Sequence, residues 1–161
     1  MKIKVQEMVI NMSKSVGVVN DLLVETFSDI LQIEQRALKE GILKDLSITE
    51  IHTIDAMGMY KYRTMSEVAQ DLKITVGTLT TAINKLLKKG YVDRKRGEED
   101  RRSVMIALTR KGKLAYRIHD KFHSHMVHAT IDCLNAEEEE ILIKSLEKLN
   151  AFFKEKYKLE S

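Results

Sequence analysis

Apolar residues recur every three or four positions through Val16, Val19, Leu23, Phe27 and Ile30, which predicts a long first helix from Ser13 or Ser15 to about Leu38, closed by Gly41. Glu34 continues the same apolar face. A second helix opens after Leu46-Ser47-Ile48-Thr49, with Ser47 or Thr49 as its cap, Ile51, Ile54 and Met57/Met59 on its inner side, and Gly58 near its end. Two short helices are predicted next. The first is Met65 to Leu72, with a serine cap. The second runs from about Val76 to Lys89 after the turn Lys73-Ile74-Thr75, and Gly90 stops it.

On that helix Leu79, Ile83 and Leu86 share one side, while Gly77, Thr78, Thr81, Asn84, Lys85 and Lys88 share the other. Period-two residues follow (Val92, Arg94, Arg96), then a charged turn over 97–102, then Val104, Ile106 and Leu108 on one strand face. This is a β-hairpin. Thr109 caps a long helix carrying Leu114, Ile118, Phe122 and Met126. Asn135, with Glu137 to Glu140 at the positive helix end, starts a last one bearing Leu142, Leu146, Leu149, Phe153 and Tyr157.

Helix, turn, helix and charged hairpin, in that order, make a mostly α chain with a small β-wing: a winged helix-turn-helix over about 46–108, flanked by long helices over about 13–45 and 109–161. The second helix of the motif would lie in the major groove and the wing in a neighbouring minor groove. Thr75, Thr78, Thr81 and Asn84 are then base-edge or phosphate partners, Gly77 permits close approach, and Lys85 and Lys88 take phosphates. Arg101 and Arg102 suit a narrow minor groove. A hairpin serving only as a structural cap is the alternative. The flanking helices carry apolar faces long enough for a second copy of the chain, so a homodimer on a pseudo-palindromic DNA site is expected; an intramolecular helical layer is the alternative.

Composition sharpens this. The 161 residues contain no proline and seven glycines, as suits long helices, and the net charge of +3 is small. Its distribution is uneven: twelve basic residues against four acids give +8 over 73–113, and the other 120 residues carry −5. Such a segment fits a polyanion surface or an ordinary solvated face. Cys133 is the single cysteine, expected as a small buried residue near a helix end. With no disulfide partner in the chain, no signal-peptide core and no long apolar run, a cytoplasmic protein away from membranes is expected. Neither a glycine-rich phosphate loop nor a nucleophile elbow is present, which argues against an enzyme. A membrane-surface module ranks last, because the basic segment lacks interfacial aromatic residues.

Leu46-Ser47-Ile48-Thr49, Ser66-Glu67-Val68-Ala69, Gly90-Tyr91-Val92 and Asp100-Arg101-Arg102, leading to Leu108-Thr109-Arg110-Lys111-Gly112, resemble the multiple-antibiotic-resistance regulator (MarR) family over nearly the whole chain. The resemblance implies that Arg102 meets DNA and that Asp100 orients the wing. Residues 50–55, 75–81 and 117–123 look most like the fatty-acid-biosynthesis repressors of Gram-positive bacteria. That implies an acyl chain on acyl-carrier protein as effector, helping the repressor onto DNA, with no cofactor required. Residues 1–12 extend beyond the shorter members of the family.

Four of the five histidines lie on one predicted helix, and His119 and His123 project from one face of it. Glu34, His52, His119 and His123 line up with the zinc ligands of the zinc-responsive branch of the family, and one carboxylate with three imidazoles suits a tetrahedral site. The surrounding sequence resembles the lipid repressors instead. A buried polar cluster shaping the core or an effector pocket is therefore the preferred reading, zinc is the alternative, and no metal site is assigned.

Overall fold

The computed structural model describes residues 2–96 and 104–158, with side chains from residue 15 onward. The chain divides into two compact units, Met1–Tyr116 and Arg117–Ser161. In the first lie α1 (Lys2–Glu40), α2 (Ile48–Met57), β1 (Arg63–Thr64), α3 (Met65–Asp71), α4 (Val76–Lys88), β2 (Val92–Arg96), β3 (Val104–Leu108) and the start of α5 (Arg110–Ile131); α6 (Ala136–Tyr157) lies in the second. The order and pairing are those of a winged helix-turn-helix.

Helix starts follow side-chain caps. Ser47 accepts from the Glu50 amide at 3.3 Å while the Glu50 carboxylate accepts from the Ser47 amide at 2.8 Å, so Ser47 rather than Thr49 caps α2. The expected serine cap of α3 is corrected: Thr64 holds that position, with reciprocal bonds to Glu67. The reason is spacing, since Thr64 has a glutamate three residues on and Ser66 has Ala69. Thr75 caps α4, and Asn135 with Glu138 caps α6 as expected.

The first helix is longer than its apolar pattern indicates. It begins at Lys2, not at Ser13 or Ser15, because residues 2–14 contain no glycine or proline to break it. Gly41 closes it, its amide bonding to the Ala37 carbonyl at 3.1 Å.

The core of the first unit is built from Ile51, Ile54 and Met57 of α2, Val68 and Ala69 of α3, Leu79, Ile83 and Leu86 of α4, and Val92, Ile106 and Leu108 of the sheet, all buried. Each large side chain there contributes about 1.5–3 kcal/mol of burial. The sheet is antiparallel in the order β1-β3-β2, with Val92 opposite Leu108 and Arg96 opposite Val104. The two-residue strand β1 pairs Arg63 with Ile106 and is too short to leave a periodic signal. In α5 the expected apolar position shifts by one residue near the helix start: Ala115 is buried, whereas Leu114 is 47% exposed.

In the second unit α6 has no buried residue, and Leu146, Phe152 and Tyr157 are all more than half exposed. Cys133 is exposed, not buried as expected, because it sits in the turn between α5 and α6, where its thiol donates to the Thr130 carbonyl at 3.0 Å. Among the described residues no helix is long and apolar enough to cross a membrane.

Candidate nucleic-acid interface

The exposed side of α4 carries Gly77, Thr78, Thr81, Asn84, Lys85 and Lys88, as its periodicity requires once Leu79, Ile83 and Leu86 are buried. Thr75 turns its hydroxyl to the helix start, accepting from the Thr78 amide at 3.1 Å and sharing a 2.9 Å bond with the Thr78 hydroxyl. Thr81 leans back to the Gly77 carbonyl at 3.4 Å, which leaves its oxygen able to accept from an incoming donor. A Cβ placed on Gly77 would meet only the Thr75 hydroxyl, at 3.8 Å. The fold therefore does not require glycine there, and what its smallness provides is access from outside.

The wing strands β2 and β3 are in register up to Arg96 and Val104. Asp100, Arg101 and Arg102 lie outside the described residues. Between α3, α4 and the wing opens a cleft of about 440 Å³, lined among others by Thr64, Ser66, Thr80, Asn84 and Arg94. Five elements (β1, α3, α4, β2 and β3) from a 41-residue span of sequence converge on it (Thr64 to Val104), which is why no local pattern announces it.

The electrostatics correct the segment count. Lys89 donates to both carboxylate oxygens of Glu50, at 2.8 and 2.7 Å, and to the Asp45 carbonyl; Lys111 donates to the Asp45 carboxylate at 3.3 Å. Lys89 and Lys111, both counted in the basic segment 73–113, are thus paired with acids outside it, while Lys85 and Lys88 stay exposed on α4. Burial pushes the Glu50 carboxyl up, but its bonds to the Lys89 ammonium and the Ser47 amide outweigh this and hold it below the usual carboxylate range. Asp45 is likewise raised by burial and brought down further by Tyr91 and Lys111. Burial and the Asp45 carboxylate together push the Tyr91 phenol up.

Two contacts among the four candidate effector residues fall within single units. In the first, His52 Nε2 lies 2.8 Å from the buried Glu34 carboxylate. In the second, the Nε2 atoms of buried His119 and of His123 are 3.1 Å apart, with the rings edge to face.

Residues 37–117 match the family model described as transcriptional regulator SarA/Rot. The crystal structure of Streptococcus pneumoniae FabT in complex with DNA is 42% identical, with a TM-score of 0.82 over 85% of this chain and 96% of that one. The chain is a MarR-family winged helix-turn-helix regulator. A curated relative, the HTH-type transcriptional regulator PchR of Bacillus subtilis, is 25% identical over 73% of this chain and 74% of its own length. A MarR protein from Peptoclostridium difficile, 22% identical with a TM-score of 0.69 over 87% of this chain and 89% of that one, shares the fold. This MarR-type regulator is a DNA-binding protein of a non-enzymatic family.

Proposed function

We propose that this MarR-type protein is a cytoplasmic, homodimeric repressor of fatty-acid-synthesis genes whose hold on DNA responds to acyl chains carried on acyl-carrier protein. The observation that carries the reading is the 42% identity to FabT over 85% of the chain, together with the likeness of residues 50–55, 75–81 and 117–123 to fatty-acid-biosynthesis repressors. Thr78, Thr81 and Asn84 read base edges, Lys85 and Lys88 hold phosphates, and Arg101 and Arg102 of the wing enter the minor groove. Dimerisation is supported by the absence of any buried residue on α6 and by the exposure of Val16, Val19, Leu22 and Phe27 on α1, apolar area that one chain leaves in water. A gel-shift with the protein's own upstream region and a fatty-acid-gene promoter, with and without acyl-acyl-carrier-protein thioesters, tests the reading. Retardation that changes with the thioester supports it; binding indifferent to every acyl length refutes the effector, and no retardation of either fragment refutes the targets.

The imidazole pair on α5 favours a second reading, zinc control. Two nitrogens each about 2.0–2.1 Å from a tetrahedral zinc stand roughly 3.3 Å apart, close to the 3.1 Å between His119 and His123. Well under one zinc per chain in protein purified without chelator would sink this reading, as would DNA binding by a His119→Ala variant that responds to chelator as the native protein does.

A further inference from the structure

The chain leaves α4 through a clamp. The carbonyls of Lys89, Gly90 and Tyr91, three in a row, accept from the Lys111 ammonium (3.0 Å), the Thr109 hydroxyl (2.7 Å) and the Thr109 amide (3.0 Å). Gly90 makes the turn with φ of 76°, and Tyr91, itself buried, donates from its hydroxyl to the Asp45 carboxylate at 2.7 Å. The Lys111 ammonium lies 4.0 Å over the Tyr91 ring. On the other side Lys89, the C-terminal cap of α4, reaches Glu50 in the first turn of α2.

An ammonium has three N–H donors. Those of Lys89 go to the two Glu50 oxygens and the Asp45 carbonyl, so none is left for a phosphate. Glu50 is 5% exposed, and its second duty is to cap α2. The pair therefore fixes where the C-terminal end of α4 stands relative to α2, and the clamp fixes it relative to the start of α5. A helix held at that end presents Thr78, Thr81 and Asn84 in one register.

We propose that Glu50 and Lys89, supported by Asp45 and Lys111, are positioning residues for DNA recognition: without touching DNA, they set the placement of α4 on which sequence discrimination depends. The proposal rests on the DNA-binding assignment and not on which genes are controlled.

Its sign separates it from electrostatics. Glu50→Gln and Asp45→Asn each remove a negative charge, and general attraction to DNA would rise. Positioning predicts the reverse. Glutamine also serves as a capping-box residue, so Glu50→Gln spares the cap of α2.

The test uses the full-length protein and an operator that the native chain selects from a random duplex pool. Kd for that operator and for unrelated duplex are measured against salt, at a temperature where circular dichroism shows each variant folded. Glu50→Gln, Asp45→Asn and Lys89→Met are each expected to weaken operator binding roughly tenfold, the scale of coupling within such networks, while binding to unrelated duplex is not weakened in proportion and the salt slope stays native. Three results overturn the proposal: operator binding by Glu50→Gln as tight as native or tighter, operator and unrelated duplex weakened in equal proportion, or a slope lowered by about one unit for Lys89→Met, the mark of a lost phosphate contact. If Glu50→Gln or Lys89→Met does not fold, Asp45→Asn and Lys111→Met decide by the same criteria, their native side chains being 44% and 51% exposed. Failure of the native chain to select any sequence is a separate outcome, and it refutes the DNA-binding assignment and the proposal together.

Discussion

Gly112→Ala isolates the contact between the start of α5 and the exit from α4. A Cβ built on Gly112 would stand 2.1 Å from the Tyr91 carbonyl oxygen and 3.1 Å from the Leu108 Cβ. Ordinary contact begins near 3.4 Å, so the two backbones must part by about 1.3 Å. The Tyr91 oxygen is the acceptor for the Thr109 amide at 3.0 Å, and the bonds from Thr109 to Gly90 and from Lys111 to Lys89 sit beside it. Losing two or three of these at about 1 kcal/mol each, with about 1 kcal/mol of strain, gives roughly 3–4 kcal/mol. For a chain of this size that lowers Tm by about 6–16 °C. Thermal unfolding followed by circular dichroism at fixed protein concentration measures it, since association would make Tm concentration-dependent. A Tm within 2 °C of native would refute the packing described here.

Gly77→Ala should separate folding from binding: the methyl has room and a helix prefers alanine, so stability holds or rises by up to about 1 kcal/mol, while operator affinity in gel-shift falls tenfold or more; native affinity would show that DNA does not approach there. Arg102→Ala should abolish most specific binding and leave the association state unchanged by sedimentation; normal operator binding would remove the wing assignment. Because the folded-state values of Glu50 and Asp45 are depressed, their contribution is present above the ordinary carboxylate range near pH 4 and is lost as pH falls through the lower folded values. Tyr91 has the opposite sign: its raised folded value means stability is lost as pH rises beyond about 10. Urea midpoints from pH 2 to 11 check both limbs, and Glu50→Gln should flatten the acid one. Phe27→Asp combined with Leu146→Asp should yield monomers in sedimentation; dimers that persist would place the interface elsewhere.

What could be read from the sequence was local. The two faces of α4 follow from a spacing of three and four, and its ends follow from Thr75 and Gly90, each a matter of a few residues. Thr64 was missed as a cap because Ser66 stood closer to the apolar run, although the glutamate three residues after Thr64 carried the decisive signal. The roles of Lys89 and Lys111 were not legible: their partners Glu50 and Asp45 are 39 and 66 residues away, so both read as surface charge until the chain was folded. Likewise, Cys133 reads as buried from the sequence because the turn that exposes it cannot be placed there.

The three carbonyls after α4 wait for partners that come about twenty residues later, at Thr109 and Lys111. Until the residues beyond 108 have been made, the end of α4 can be tied to α2 through Lys89 and Glu50 but not to the start of α5. On the positioning role proposed for these contacts, full discrimination of DNA sequence is expected only once the residues beyond the wing have been made. A product ending at the wing is expected to keep the Lys89–Glu50 tie but to lack the Thr109 and Lys111 bonds, and so to discriminate DNA sequence less sharply than the 161-residue chain.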